Sequence, residues 1–173
     1  MAESTYQHNT ISELEDALVE EFRIFQLLVE LSKDELAALT KRDTQILADI
    51  VEKKEDLLDE LVLVEDERFN LMEDISLRIG IKKISPTVQD IFPYLERFSV
   101  ERLKHLQEGI VGLGREIRSI NRSNLALAKT ALELADSTQA YLLSIYQPEL
   151  ETYQAPGIGQ KRHMAVRSFD QKV

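Results

Sequence analysis

Cysteine and tryptophan are absent from the 173 residues. The first absence removes a disulfide framework, a thiolate zinc site and a cysteine nucleophile together, and it suits a reducing compartment. Glycine and proline are scarce, at six and four, and they cluster: Gly109, Gly112 and Gly114 in one group, Pro86 and Pro93 in another, Pro148, Pro156, Gly157 and Gly159 in a third. No apolar run approaches the roughly 18 residues of a membrane span. The start, Met-Ala-Glu-Ser-Thr-Tyr-Gln-His, lacks the basic and apolar regions of a signal peptide. A cytoplasmic protein without membrane insertion is the expectation. Basic side chains are also short: residues 1–80 hold 21 acidic and 8 basic side chains, whereas residues 81–147 hold 7 and 9. A surface of that sign repels phosphate backbones, so nucleic acid is not an expected partner.

What remains between the glycines and prolines is long, uninterrupted and rich in Glu, Leu, Ala, Lys and Arg, a composition that favours helix throughout. A first helix is expected over 10–42, opened by Thr10 and Glu13 as a capping box and striped by Leu14, Leu18, Phe22, Phe25 and Leu28 at helical spacing. Asp43 or Thr44 then caps a second helix over 44–79, whose three-and-four rhythm is interrupted by Lys54 and Arg68 where an apolar side chain is due. So short a turn between two long helices makes them antiparallel. Gly80 stops the second helix, and Ser85-Pro86 reads as an N-cap followed by proline at the first helical position, giving a short helix over 86–92. From Pro93 a long helix is expected to residue 147. Its seam, Leu106, Ile110, Leu113, Ile117, Ile120, Asn124, Leu127, Ala131, Leu134, Thr138, Tyr141, Ile145, keeps steps of three and four without a slip, as in a coiled coil. At 1.5 Å per residue that helix reaches roughly 80 Å against roughly 50 Å for each of the other two. A kink at 109–114, where three glycines each disfavour helix by about 1 kcal/mol, would absorb the excess; a straight helix would leave its apolar end to a second chain, giving a homodimer. Residues 1–9 are expected to be a flexible start and 148–173 a mobile tail.

Catalytic chemistry is excluded by elimination. None of His8, His105 and His163 has a Glu three residues before it, so di-iron Glu-x-x-His pairs and zincin motifs are missing. Gly112-Leu-Gly114 lacks the third glycine of a dinucleotide loop and follows a helix instead of a strand. The carboxylate groups Asp16 with Glu20, and Asp56 with Asp59 and Glu60, fall at helical spacing on solvated faces. No enzyme, cofactor or metal site is expected, and the protein works by contact.

Two stretches carry a resemblance. Residues 36–58, Leu-Ala-Ala-Leu-Thr-Lys-Arg-Asp-Thr-Gln-Ile-Leu-Ala-Asp-Ile-Val-Glu-Lys-Lys-Glu-Asp-Leu-Leu, form a hairpin that runs into Lys54-Glu55-Asp56-Leu57-Leu58; Ile120-Asn121-Arg122-Ser123-Asn124-Leu125 comes later, in the last long helix, with Tyr146 and Tyr153 beyond it. Over residues 10–155 this order resembles the FlgN family of flagellar export chaperones, with its Lys-Glu-x-Leu-Leu and Leu-Asn-x-x-Asn elements. The resemblance implies a cytoplasmic, non-enzymatic chaperone that binds the terminal helices of flagellar hook-associated proteins, keeps them from assembling before type III export, and delivers them to the export apparatus.

The fold expected is all-α: an antiparallel, coiled-coil-like bundle of three long helices plus a short linker helix. Partner binding is expected from the seam and tail through helix-in-groove packing, by Asn121, Asn124, Leu127, Leu134, Tyr141 and Ile145, and by Leu150, Tyr153, Ile158, Met164 and Phe169. Two readings of the asparagines stay open. Asn124 fixes register inside the bundle, as a buried amide does at a seam position, with Asn121 beside it at the boundary, or the pair faces a groove and bonds a client helix; both can hold, one in the free protein and the other in the complex. A structural coiled-coil adaptor is the alternative function.

Overall fold

Helices α1 (Ala2–Lys41), α2 (Thr44–Ile79), α3 (Val88–Ile91) and α4 (Arg97–Tyr146), with a 3-10 turn at Phe92–Tyr94, make up the secondary structure of the described residues. They are seen in a computed structural model that describes residues 2–146, with side chains over 9–145. Two compact units divide the chain after Ala135; the first contains the packed bundle, and the described part of the second is the C-terminal stretch of α4 from Asp136.

The α1–α2 turn takes two residues because each end is capped. The N–H of Asp43 bonds the Ala38 carbonyl at 3.0 Å and that of Arg42 bonds the Leu39 carbonyl at 3.2 Å, a Schellman closure with Arg42 in the left-handed region at φ 59°. Asp43, not Thr44, caps α2: its Oδ1 accepts from the Ile46 N–H at 3.1 Å. At the other end of α2, Gly80 adopts φ 76° and the Ile81 N–H closes on the Ser76 carbonyl at 2.9 Å.

The chain runs up, down and up. Leu14 and Leu18 of α1 meet Met72 and Ile75 of α2, Val88 and Ile91 of α3, and Leu103 of α4 in one core cluster. Ile24 and Leu28 meet Val64 in a second, with Leu57, Leu61 and Ile117 packed against it. Contacts therefore advance together along α1 and α4, while α2 runs against both. The fold is an all-α bundle of three long helices with a short linker, as the composition implies. No helix among the described residues is long and apolar enough to cross a membrane.

Several boundaries differ from those expected of the sequence. The backbone of residues 2–9, expected as a flexible start, is helical. Thr10 therefore lies inside α1, buried at 7 % exposure, and does not cap it. The N-cap of α3 is Thr87, not Ser85, because Asp90 stands three residues on and its Oδ2 accepts from the Thr87 N–H at 2.7 Å, the reciprocal bond of a capping box. Pro93 falls within the 3-10 turn, and Leu95 behind it is extended at φ −107°, ψ 158°, so α4 starts at Arg97. The three glycines do not end the helix, which is continuous through them. Gly109 serves a close approach: a Cβ there would stand 2.6 Å from Cε2 of Phe22, whereas one at Gly114 would meet Phe25 at 3.5 Å and one at Gly112 would meet nothing within 4 Å. The ring of α1 lies against the backbone of α4 at Gly109.

Candidate partner-binding site

The seam of α4 is one pattern in sequence and two environments in structure. Leu103 is fully buried, Leu106, Ile110, Leu113, Ile117 and Ile120 are half-buried, and Asn124 is buried. From there the same spacing continues into open surface: Leu127 is 41 % and Leu134 51 % exposed, and Ala131 between them is exposed as well. Within the first unit, the bundle covers the seam up to Asn124 and leaves Leu127, Ala131 and Leu134 uncovered. In the second unit Tyr141, Leu142, Leu143 and Ile145 are all exposed.

Asn124 marks the changeover because it is the last group of the seam held by the other helices. Its Nδ2 donates to the Ser32 carbonyl at 3.0 Å and to Glu35 Oε2 at 2.6 Å. The same Glu35 oxygen accepts from Lys54 Nζ at 2.7 Å. One carboxylate thus ties α1 to α2 and α4 at a single level. Both neighbours of the amide are acceptors, so its nitrogen must face them, and Oδ1 is left buried without a partner. Moving α4 along α1 would strand the amide and the carboxylate together, so the node selects one register. Lys54, an interruption in the sequence rhythm, is here a bundle contact. Arg68 is the same kind of residue: its Nε lies 3.1 Å from Oε2 of Glu21, whose carboxyl burial pushes up while the Arg68 charge opposes the rise.

The expected site residues therefore separate. Asn124 is turned inward in the free chain with both amide hydrogens used, so its partner-facing assignment is not seen there. Asn121 is exposed, so the two amides sit in different surroundings in the free chain. Leu127 and Leu134 share an open stripe, and Tyr141 and Ile145 are exposed on the later turns of the helix. Leu150, Tyr153, Ile158, Met164 and Phe169 lie outside the described residues. Leu125 and Leu132, 61 % and 65 % exposed, escape the sequence pattern because they fall off the seam. At 100° per residue they stand roughly 160° around the helix from Leu127 and Leu134. Their separation of seven residues is the one signal of them in the sequence.

Among the described residues no group of three or more His, Asp or Glu side chains could hold a metal ion, and the exposed stretch presents leucines at heptad intervals on two sides of a helix. Such a surface takes other helices by knobs-into-holes packing. A family model described as FlgN protein matches residues 1–159. No curated protein and no solved structure gives a significant match.

Proposed function

The chain belongs to the FlgN family, the flagellar export chaperones, and on that premise we propose that it holds flagellar hook-associated proteins by their terminal helical regions in the cytoplasm and keeps them from assembling before type III export. The observation that carries this reading is the seam of α4, covered by its own bundle through Asn124 and exposed from Leu127 onward. Apolar stripes on two sides of that stretch suit a client that supplies more than one helix. The leucines would take the place of the client's own coiled-coil partners, which is how a contact protein blocks self-assembly without chemistry or a cofactor. Tyr141 and Ile145, and the apolar residues Leu150, Tyr153, Ile158, Met164 and Phe169, also take part in client binding in this reading, and delivery to the export apparatus is its last step.

Co-purification of the full chain with the C-terminal helical region of a hook-associated protein tests the proposal. The unaltered chain is expected to form a stoichiometric complex and the Leu127→Asp, Leu134→Asp double variant to lose it while keeping its helical circular dichroism. A complex that survives the double variant would place capture away from the Leu127 and Leu134 stripe. No complex with either protein, together with a stable dimer of the chain itself, would favour a coiled-coil adaptor that pairs its own seams.

A further inference from the structure

A second exposed apolar face lies on α2, apart from the α4 seam. Val51, Leu58, Val62 and Phe69 are 45, 48, 55 and 53 % exposed. They succeed one another at steps of seven, four and seven, which at 100° per residue confines them to an arc of roughly 40°. That arc sits roughly 120° around the helix from Ile50, Leu57, Val64 and Ile75, the residues α2 turns to the core. The bundle does not need this face for its own packing.

Charge says what would cover it. Glu55, Asp59, Asp66 and Glu73 form the next row around α2; all four are exposed, and none is ion-paired with another described residue. A second copy of the chain would set one such row against another, and like charges across an interface select against the pairing. Anionic lipid and nucleic acid are disfavoured by the same sign. An apolar stripe bordered by Lys and Arg satisfies both rows at once.

The stripe also ends in a seat. Phe69 and Leu77 of α2, with Ile81 and Ile84 of the segment after it, wall a cleft of about 180 Å³. Ile84 is fully exposed and Leu77 80 % exposed. Ser76 lines the same cleft; it is only 4 % exposed, and its Oγ has no hydrogen-bond partner. Glu73 and Lys83 line it as well, so apolar walls with polar groups among them, one an unsatisfied hydroxyl, match a bulky side chain that has a polar tip, such as Tyr.

We propose that this face of α2 docks an amphipathic helix of another protein, one whose apolar stripe is flanked by Lys or Arg and which seats a bulky side chain in the cleft beside Ser76. The surface is separate from the exposed α4 seam, and the proposal does not rest on which client that seam takes.

The test uses the full chain and synthetic helical peptides of roughly 20 residues, the length that matches Val51–Phe69 at 1.5 Å per residue. One peptide carries a leucine stripe with a Tyr and flanking Lys; a second replaces the Lys by Glu; a third keeps the Lys and replaces the leucines by Ser. Fluorescence anisotropy is expected to show the first binding at least about tenfold more tightly than either control, a difference of one decade in Kd. Val62→Asp should abolish that binding, Asp59→Lys with Asp66→Lys should transfer preference to the Glu peptide, and Leu127→Asp with Leu134→Asp should leave it unchanged. Equal binding of the serine peptide would reduce the effect to unspecific charge attraction and overturn the proposal. So would loss of binding in the α4 variant, or a dimer of the chain that Val62→Asp dissociates.

Discussion

Gly109 and Gly112 are three residues apart in one helix and make opposite demands. Exchanging glycine for alanine inside a helix gains about 1 kcal/mol where nothing obstructs the methyl group, which is the case at Gly112. At Gly109 the methyl would stand 2.6 Å from the Phe22 ring, so the ring must move within a packed layer, a change that costs about 1–3 kcal/mol. Gly112→Ala is therefore expected to raise the urea midpoint, and Gly109→Ala to leave it unchanged or lower it. Equal stabilisation by both would mean the close approach of Phe22 is dispensable. The cluster is visible in the sequence as a departure from helix composition, and helix propensity alone points to a kink. The ring that explains it belongs to α1, and no pattern within residues 109–114 points to it. Asp90 gives a pH-dependent case at the same scale. Bonds from Lys83 Nζ and from the Thr87 N–H and hydroxyl hold its carboxyl down to about 2. Since the folded value lies below that of the unfolded chain, about 3.9, the cap contributes above that value and is lost as pH falls from about 4 towards 2. Carbon-detected NMR titration of the Asp90 carboxyl checks this, and Lys83→Met is expected to return its midpoint towards the ordinary range.

Pairs between helices decide how α1, α2 and α4 are set against one another. The rhythm of α2 exposes Lys54 and Arg68 as exceptions, but their reasons lie on α1, at Glu35 and Glu21, and a single-helix pattern cannot name a partner on another helix. Asn124 is more legible, because an amide in an otherwise apolar seam has few structural uses, and register is one of them. In the free chain it is 4 % exposed, a burial that the seam spacing leaves undetermined beyond the end of the covered region. The Glu21 contact makes a prediction of its own. Glu21 is 6 % exposed, so Arg68→Met would leave its carboxylate buried and unpaired, at about 3 kcal/mol near neutral pH. Arg68 opposes the rise that burial imposes on Glu21; removing it moves the carboxyl further up. As pH falls through that raised value the carboxyl takes up a proton, the buried charge disappears and the deficit shrinks. Urea unfolding at neutral and mildly acidic pH should show this convergence, and a deficit independent of pH would mean that lost packing of the Arg68 stem dominates. Replacing both residues by leucine should recover most of the stability.

For the molecule as a whole, what holds the fold and what remains to be covered are different residues. Leu14, Ile24, Ile91 and Leu103 have no exposure, and truncating any of them to alanine is expected to lower stability by about 2–5 kcal/mol. Leu127 and Leu134 are half-exposed, so Leu127→Glu with Leu134→Glu removes little buried area and should leave the thermal midpoint nearly in place. The same double change should alter association. A leucine stripe exposed to this degree can pack against a second copy, while the net charge of −10 opposes bringing two copies together. Weak self-association that strengthens with salt is the expected balance, because added ions screen the repulsion and leave the apolar contact. Sedimentation velocity over a concentration series should detect it in the unaltered chain, find it absent in the double variant, and find it suppressed when a client's helical region occupies the stripe. Self-association that persists in the variant would locate the contact elsewhere, with the α2 face the next surface to examine. Self-association that weakens with salt would mean charge attraction, not the leucines, draws the copies together.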